Sequence, residues 1–109
     1  MSYLKFLNLM EAVKGLPTFP AMDAVEERLL NTFAVLWQVG VPVTVLQSME
    51  MLQDASPATV HRRLKTLRHK GFIALKVDAQ DNRIKYVVTT ALTRQYFAKL
   101  EECLVKAQQ

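Results

Sequence analysis

Cysteine is almost absent from the chain: Cys103 is the one among 109 residues. That excludes an internal disulfide framework and any multi-cysteine metal site. Glycine and proline are scarce, at three and four, which argues against a fibrous repeat or a disordered tract and for a compact, helix-rich fold. Long apolar runs are also missing. Lys5, Asn8, Glu11 and Lys14 interrupt the most hydrophobic end, so nothing approaches the ~18 uninterrupted apolar residues of a membrane span. Because the same end has no apolar block behind a basic start and no small-residue cleavage site, the expected location is the cytoplasm. Nucleophile motifs, a glycine-rich phosphate loop and an acidic cluster beside a histidine are lacking, so an enzyme is not expected. Half of the residues are apolar and 22% are charged, enough for one modest core in a chain of domain size.

The charge is unevenly placed. Residues 1–60 hold three basic and six acidic side chains, residues 61–85 hold eight and two, and residues 86–109 hold three and two. All of the net charge of +4, and more, therefore sits in one quarter of the chain, as expected of a segment that faces phosphates.

Periodicity and punctuation divide the chain into elements. Tyr3, Phe6, Leu7, Met10 and Val13 share one helical face from Ser2 to Lys14, and Gly15 ends it. Pro17 and Pro20 make residues 16–22 an extended loop. Asp23 caps the next helix, with Glu26 completing a capping box, and Val25, Leu29, Phe33, Leu36 and Trp37 carry that helix to Gly40. After the short extended piece 41–43, Thr44 caps a helix bearing Leu46, Met49 and Leu52, which stops near 53–55. Ser56 followed by Pro57 starts a helix to Lys70 that buries Val60, Leu64 and Leu67, with Gly71 as its stop. The β-rich runs 72–78 and 83–89 form a hairpin around 79–82, and Thr90 caps a last helix to about Ala107. The resulting order predicts a mainly α fold with a small β-hairpin: a winged helix-turn-helix with N- and C-terminal helices for dimerisation. Three parts follow: an N-terminal helix and proline-containing arm over 1–22, a DNA-binding domain over 23–90 and a C-terminal dimerisation helix over 91–109.

On a wheel of about 100° per residue, Val60, Leu64 and Leu67 face one way. Ala58, Thr59, Arg62, Lys65, Thr66 and His69 face the other, while His61 and Arg68 lie on one flank and Arg63 and Lys70 on the other. Small residues at the leading end let such a helix approach the floor of a major groove. Arg62 is the expected base reader, since its fork can meet guanine with two bonds, and Lys65, Arg68 and Lys70 are expected on phosphates. Ser56, Ala58, Thr59, His61, Arg62, Lys65, Thr66, Arg68 and His69 are the candidate DNA-binding set on the helix. A merely solvated basic face is the bland alternative; against it, eight cations meet two carboxylates within 61–85 and lack local partners. His61 and His69 stand eight residues apart with no cysteine or carboxylate cluster beside them, so neither a metal nor a cofactor is expected.

Over about 23–93 the sequence resembles the MarR-type winged-helix transcription regulators. The residues that carry the likeness are Ser56, Thr59, Val60, Leu64, Leu67, Gly71, Phe72 and Ile73, then Asp78, Asp81, Arg83, Val88 and Thr89. The resemblance implies that Arg83 meets the minor groove, that Asp81 supports the wing turn, and that Lys85 adds a phosphate contact. A plain surface hairpin in which Asp81 and Arg83 simply pair is the alternative. The pattern departs from the family at Leu92, where a glycine is usual, and in having one helix after the wing where two are usual.

The terminal helices carry more apolar surface than a small domain readily hides. Leu4, Phe6, Leu7, Met10, Tyr96, Leu100 and Leu104 are the candidate dimerisation residues, with completion of the monomer core as the alternative. Cys103 lies on the same face as Leu100 and Tyr96 and reads as a small buried hydrophobe. The expected function is a homodimeric, sequence-specific regulator of transcription that binds double-stranded DNA and represses by occupancy, with activation as the open alternative. A winged-helix protein-interaction module with an incidental basic face is the alternative. No membrane partner is expected, and nothing in the sequence indicates a small-molecule effector.

Overall fold

The computed structural model describes all residues from Met1 to Gln109. They form two compact units, Met1–Ala21 with Ala91–Gln109, and Met22–Thr90. The two terminal segments are thus parts of one body.

In the terminal unit, α1 (Ser2–Lys14) packs against α5 (Ala91–Ala107). No residue of α1 is fully buried. The core of this unit is supplied by Phe19, Thr93, Tyr96, Cys103 and Ala107. Phe19 presents its ring edge to Tyr96 at 5.3 Å between centroids, and Tyr96 does the same with Phe97, an arrangement favoured by the ring quadrupoles. The loop after α1 is not extended over 16–19, because the Leu16 and Phe19 amides donate to the carbonyls of Val13 and Leu16. That tight winding turns Phe19 inward. It also corrects the expectation for Tyr96, which is 3% exposed beneath Phe19 and belongs to the core of one chain. Phe6, Leu7, Met10 and Leu100 are half-buried, whereas Tyr3, Leu4, Leu104 and Val105 are exposed.

The central unit begins at Asp23, whose side chain accepts from the Glu26 amide at 2.8 Å while Glu26 Oε1 accepts from the Asp23 amide at 2.9 Å. This reciprocal cap opens α2 (Ala24–Gln38), which buries Leu29, Leu30 and Phe33. Gly40, at φ 74°, turns the chain into the piece 41–44. There the Val43 carbonyl accepts from the Val87 amide at 2.8 Å and Thr44 bridges to Tyr86. Thr44 and Gln47 cap each other at the start of α3 (Val45–Ser48). This helix is shorter than the sequence predicts. The Ser48 hydroxyl donates back to the Val45 carbonyl at 2.5 Å, and the amides of Met49, Glu50 and Met51 each reach back only three residues, so the helix tightens into consecutive turns.

The helix α4 (Pro57–Lys70) buries Val60, Leu64 and Leu67 as expected and stops at Gly71, which adopts φ 91°. Strands β1 (Ile73–Val77) and β2 (Lys85–Thr89) are antiparallel, with Ile73 opposite Thr89 and Val77 opposite Lys85. Segment 43–44 pairs along the far edge of β2. The core between α2, α4 and the hairpin is made by Leu29, Leu30, Phe33, Val60, Leu67, Phe72, Ile73 and Val87. Each such side chain contributes about 1.5–3 kcal/mol by leaving water. The Thr90 hydroxyl donates to the Gly71 carbonyl at 2.7 Å and ties the end of the hairpin to its beginning. No helix is long and apolar enough to cross a membrane.

Candidate nucleic-acid interface

The exposed side of α4 is built from its first turn. Ser56 Oγ accepts from the Thr59 amide at 3.1 Å and donates to Thr59 Oγ1 at 3.0 Å, and the Arg62 guanidinium donates to that same Oγ1 at 3.3 Å. A chain of three polar side chains therefore steadies Arg62 over the leading end of the helix. Pro57 at the first helical position and Ala58 keep that end slim. Ala58, His61, Arg62, Lys65, Arg68 and His69 are exposed, and Thr59 is half-buried. The loop leading into Ser56 is held from α2, where Arg28 grips Asp54 through both terminal guanidinium nitrogens. The pair is exposed, so its role is to place the loop and its stabilisation is small.

The two shoulders of α4 have different neighbours. One faces the hairpin, where His61, Lys65 and Arg68 share with Lys85 a cleft of about 210 Å³ floored by Val45, Leu64 and Leu75. No carboxylate lies within 4 Å of Arg62, Lys65, Arg68 or Lys85. The other shoulder faces the first turn of α2. Arg63 Nε lies 2.6 Å from Asp23 Oδ2, Lys70 Nζ lies 2.7 Å from Glu26 Oε1, and the Thr66 hydroxyl donates to Glu26 Oε2 at 2.7 Å. Thr66 and Lys70 are thus corrected: the Thr66 hydroxyl, expected on the groove-facing side, and the Lys70 ammonium, expected on a phosphate, are both bonded to Glu26 of α2. The expectation that the cations of 61–85 lack partners is corrected in part as well, because Arg63 and Lys70 find carboxylates about forty residues upstream. Burial raises the Glu26 pKa, but the hydrogen bonds from Lys70, the Asp23 amide and Thr66 outweigh it and hold the carboxyl below its ordinary range.

The wing turn rests on two carboxylates. Asp78 Oδ2 accepts from the amides of Gln80 and Asp81 at 2.9 and 3.0 Å, and its Oδ1 accepts from the Tyr86 hydroxyl at 3.0 Å. These bonds lower the Asp78 pKa and raise that of Tyr86. Asp81 accepts from the Arg83 amide and, with both oxygens, from the Arg83 guanidinium at 3.0 Å. Arg83 lowers the Asp81 pKa, and Asp81 raises that of Arg83. The Arg83 side chain remains 87% exposed, so the pairing aims the guanidinium without hiding it. Asp78 does more for the turn than Asp81, a division that chain spacing does not reveal. Beside the wing, Leu46, Met49 and Ile84 join His61, Arg83 and Lys85 around a hollow of about 670 Å³.

A helix-turn-helix whose second helix shows an exposed basic face, followed by a two-stranded wing, defines the winged-helix fold, the fold expected from the sequence. The chain is similar to the structure of a single-residue mutant of MepR from a multidrug-resistant S. aureus clinical isolate, with 20% identity and a TM-score of 0.66 over 99% of this chain and 70% of that one. It is also similar to the heme sensor protein PefR from Streptococcus agalactiae, solved in complex with heme, with 20% identity and a TM-score of 0.64 over 95% of this chain and 65% of that one. At this identity the likeness is one of fold, and the chain spans about two thirds of the length of these proteins. No protein-family model and no curated protein matches the sequence.

Proposed function

We propose that the chain is a sequence-specific regulator of transcription that binds double-stranded DNA as a homodimer and represses by occupancy. The observation that carries this reading is the set of exposed cations without carboxylate partners, Arg62, Lys65, Arg68 and Lys85, on α4 and the hairpin of one compact unit. Held together by a fold, such like charges repel until an anion neutralises them. Ser56, Ala58 and Thr59 bring the front of α4 to the groove floor, Arg62 reads a guanine, and His61, Lys65, Arg68 and His69 with Lys85 follow the backbone. Arg83, aimed by Asp81, reaches the neighbouring minor groove. In a dimer the two copies of α4 would meet half-sites roughly 34–36 Å apart.

Selection of bound fragments from random duplexes at two salt concentrations tests the reading. An enriched motif with affinity that falls steeply with salt supports it. Weak binding indifferent to sequence overturns it in favour of a protein-interaction module. Arg62→Ala is expected to cost about 1–3 kcal/mol on the enriched duplex and to relax preference at one base pair. Arg83→Ala should weaken enriched and shuffled duplexes more evenly. Equal affinities of both variants and the wild type would remove the residue assignment.

A further inference from the structure

We infer that Glu26 is a positioning residue for sequence discrimination: from α2 it fixes the rotational setting of α4, and hence which atoms of Arg62 and its neighbours meet base edges. The inference rests on the DNA-binding reading above and adds to it a residue distant from the groove-facing side.

The geometry points to this role. Glu26 is 2% exposed, and its two oxygens accept from the Asp23 amide, the Thr66 hydroxyl and the Lys70 ammonium, the last at 2.7 and 3.0 Å. Next to it Asp23 holds Arg63. Residues 63, 66 and 70 form one shoulder of α4, so three successive points along that helix are tied to a single turn of α2. The opposing apolar contacts through Val60, Leu64 and Leu67 resist a roll by packing alone, and the driving force behind them is non-directional. Hydrogen bonds to a fixed carboxylate are directional. At the roughly 5–6 Å radius of helix side chains, a roll of about 20° moves their outer atoms by about 2 Å, which is enough to break a two-bond contact to guanine. The cap of α2 accounts for the bond from the Asp23 amide, but a cap alone does not call for the bonds from Thr66 and Lys70 on another helix. Phosphate contacts, by contrast, tolerate such a roll because long lysine and arginine side chains follow the backbone.

The test compares full-length wild type with Glu26→Leu, which keeps the volume and removes every bond, and with Thr66→Val, which removes one hydroxyl and leaves the charge pair. Each is titrated with the duplex enriched by the wild type and with a shuffled duplex of equal length, at two salt concentrations, and each is melted by circular dichroism. The affinity ratio between the duplexes is expected to fall about tenfold for Glu26→Leu and about threefold for Thr66→Val. Affinity for the shuffled duplex should hold within about twofold for Thr66→Val and should not fall for Glu26→Leu, because no phosphate contact is lost and Lys70 is released from its carboxylate. If Glu26→Leu does not fold, Thr66→Val carries the test alone. A ratio unchanged in a folded variant, or equal weakening on both duplexes, overturns the inference while the DNA-binding reading stands. A wild type that does not distinguish the duplexes overturns both.

Discussion

Asp78 shows how one carboxylate can organise a turn. It accepts from two amides and the Tyr86 hydroxyl, and all three bonds favour its ionised form. Its folded pKa lies below the ordinary value of about 3.9, so its contribution to the wing is complete above that value and disappears as pH falls through the lower one. Tyr86 works in the opposite direction: its pKa is raised, so its contribution holds below about 10 and is lost only as pH rises through the higher folded value. Amide-exchange protection at Gln80 and Asp81 should therefore stay level from mildly acidic to mildly alkaline solution and collapse in strong acid. Asp78→Asn should lower the plateau and remove the acid step. Single-residue roles were only partly legible in the sequence. The Asp23–Glu26 cap is a three-residue spacing and could be read directly. Its links to Arg63, Thr66 and Lys70 could not, because a helical wheel leaves shoulder positions undecided until the neighbouring element is known.

Elements were more legible where their ends have distinctive chemistry. Helix α4 begins at a serine–proline pair and ends at a left-handed glycine, and both signals act locally. Ser56→Ala should cost about 1 kcal/mol of stability through the lost cap and should also free the Thr59 hydroxyl that holds Arg62, which denaturant titration together with duplex binding can separate. Gly71→Ala should destabilise by about 1–2 kcal/mol, because φ 91° crowds a Cβ against the backbone. Helix α3 was misread for a physical reason. Leu46, Met49 and Leu52 recur every three residues, a spacing that serves consecutive three-residue turns as well as an α-helix. The turns occur, and Leu46 is left 81% exposed beside the wing.

At the scale of the molecule, two amphipathic terminal helices did not reveal how much of their apolar surface one chain would cover. The structure gives Phe19, Tyr96 and Cys103 to the core of the terminal unit and leaves Tyr3, Leu4, Leu104 and Val105 outside. Those exposed residues support the proposed homodimer. Leu4→Glu combined with Leu104→Glu should sediment as a monomer at concentrations where the wild type is a dimer, and should bind a two-half-site duplex about a hundredfold more weakly as the second contact is lost. A wild type that sediments as a monomer at high concentration would remove the dimer from the proposal. The chain also carries its own optical reporter. Its lone tryptophan, Trp37, is half-buried and donates its indole N–H to the Val87 carbonyl in the middle of β2, at 3.1 Å. Any ligand that bends the hairpin away from α2 must stretch that bond and wet the indole, so intrinsic fluorescence can follow wing displacement in the unlabelled protein.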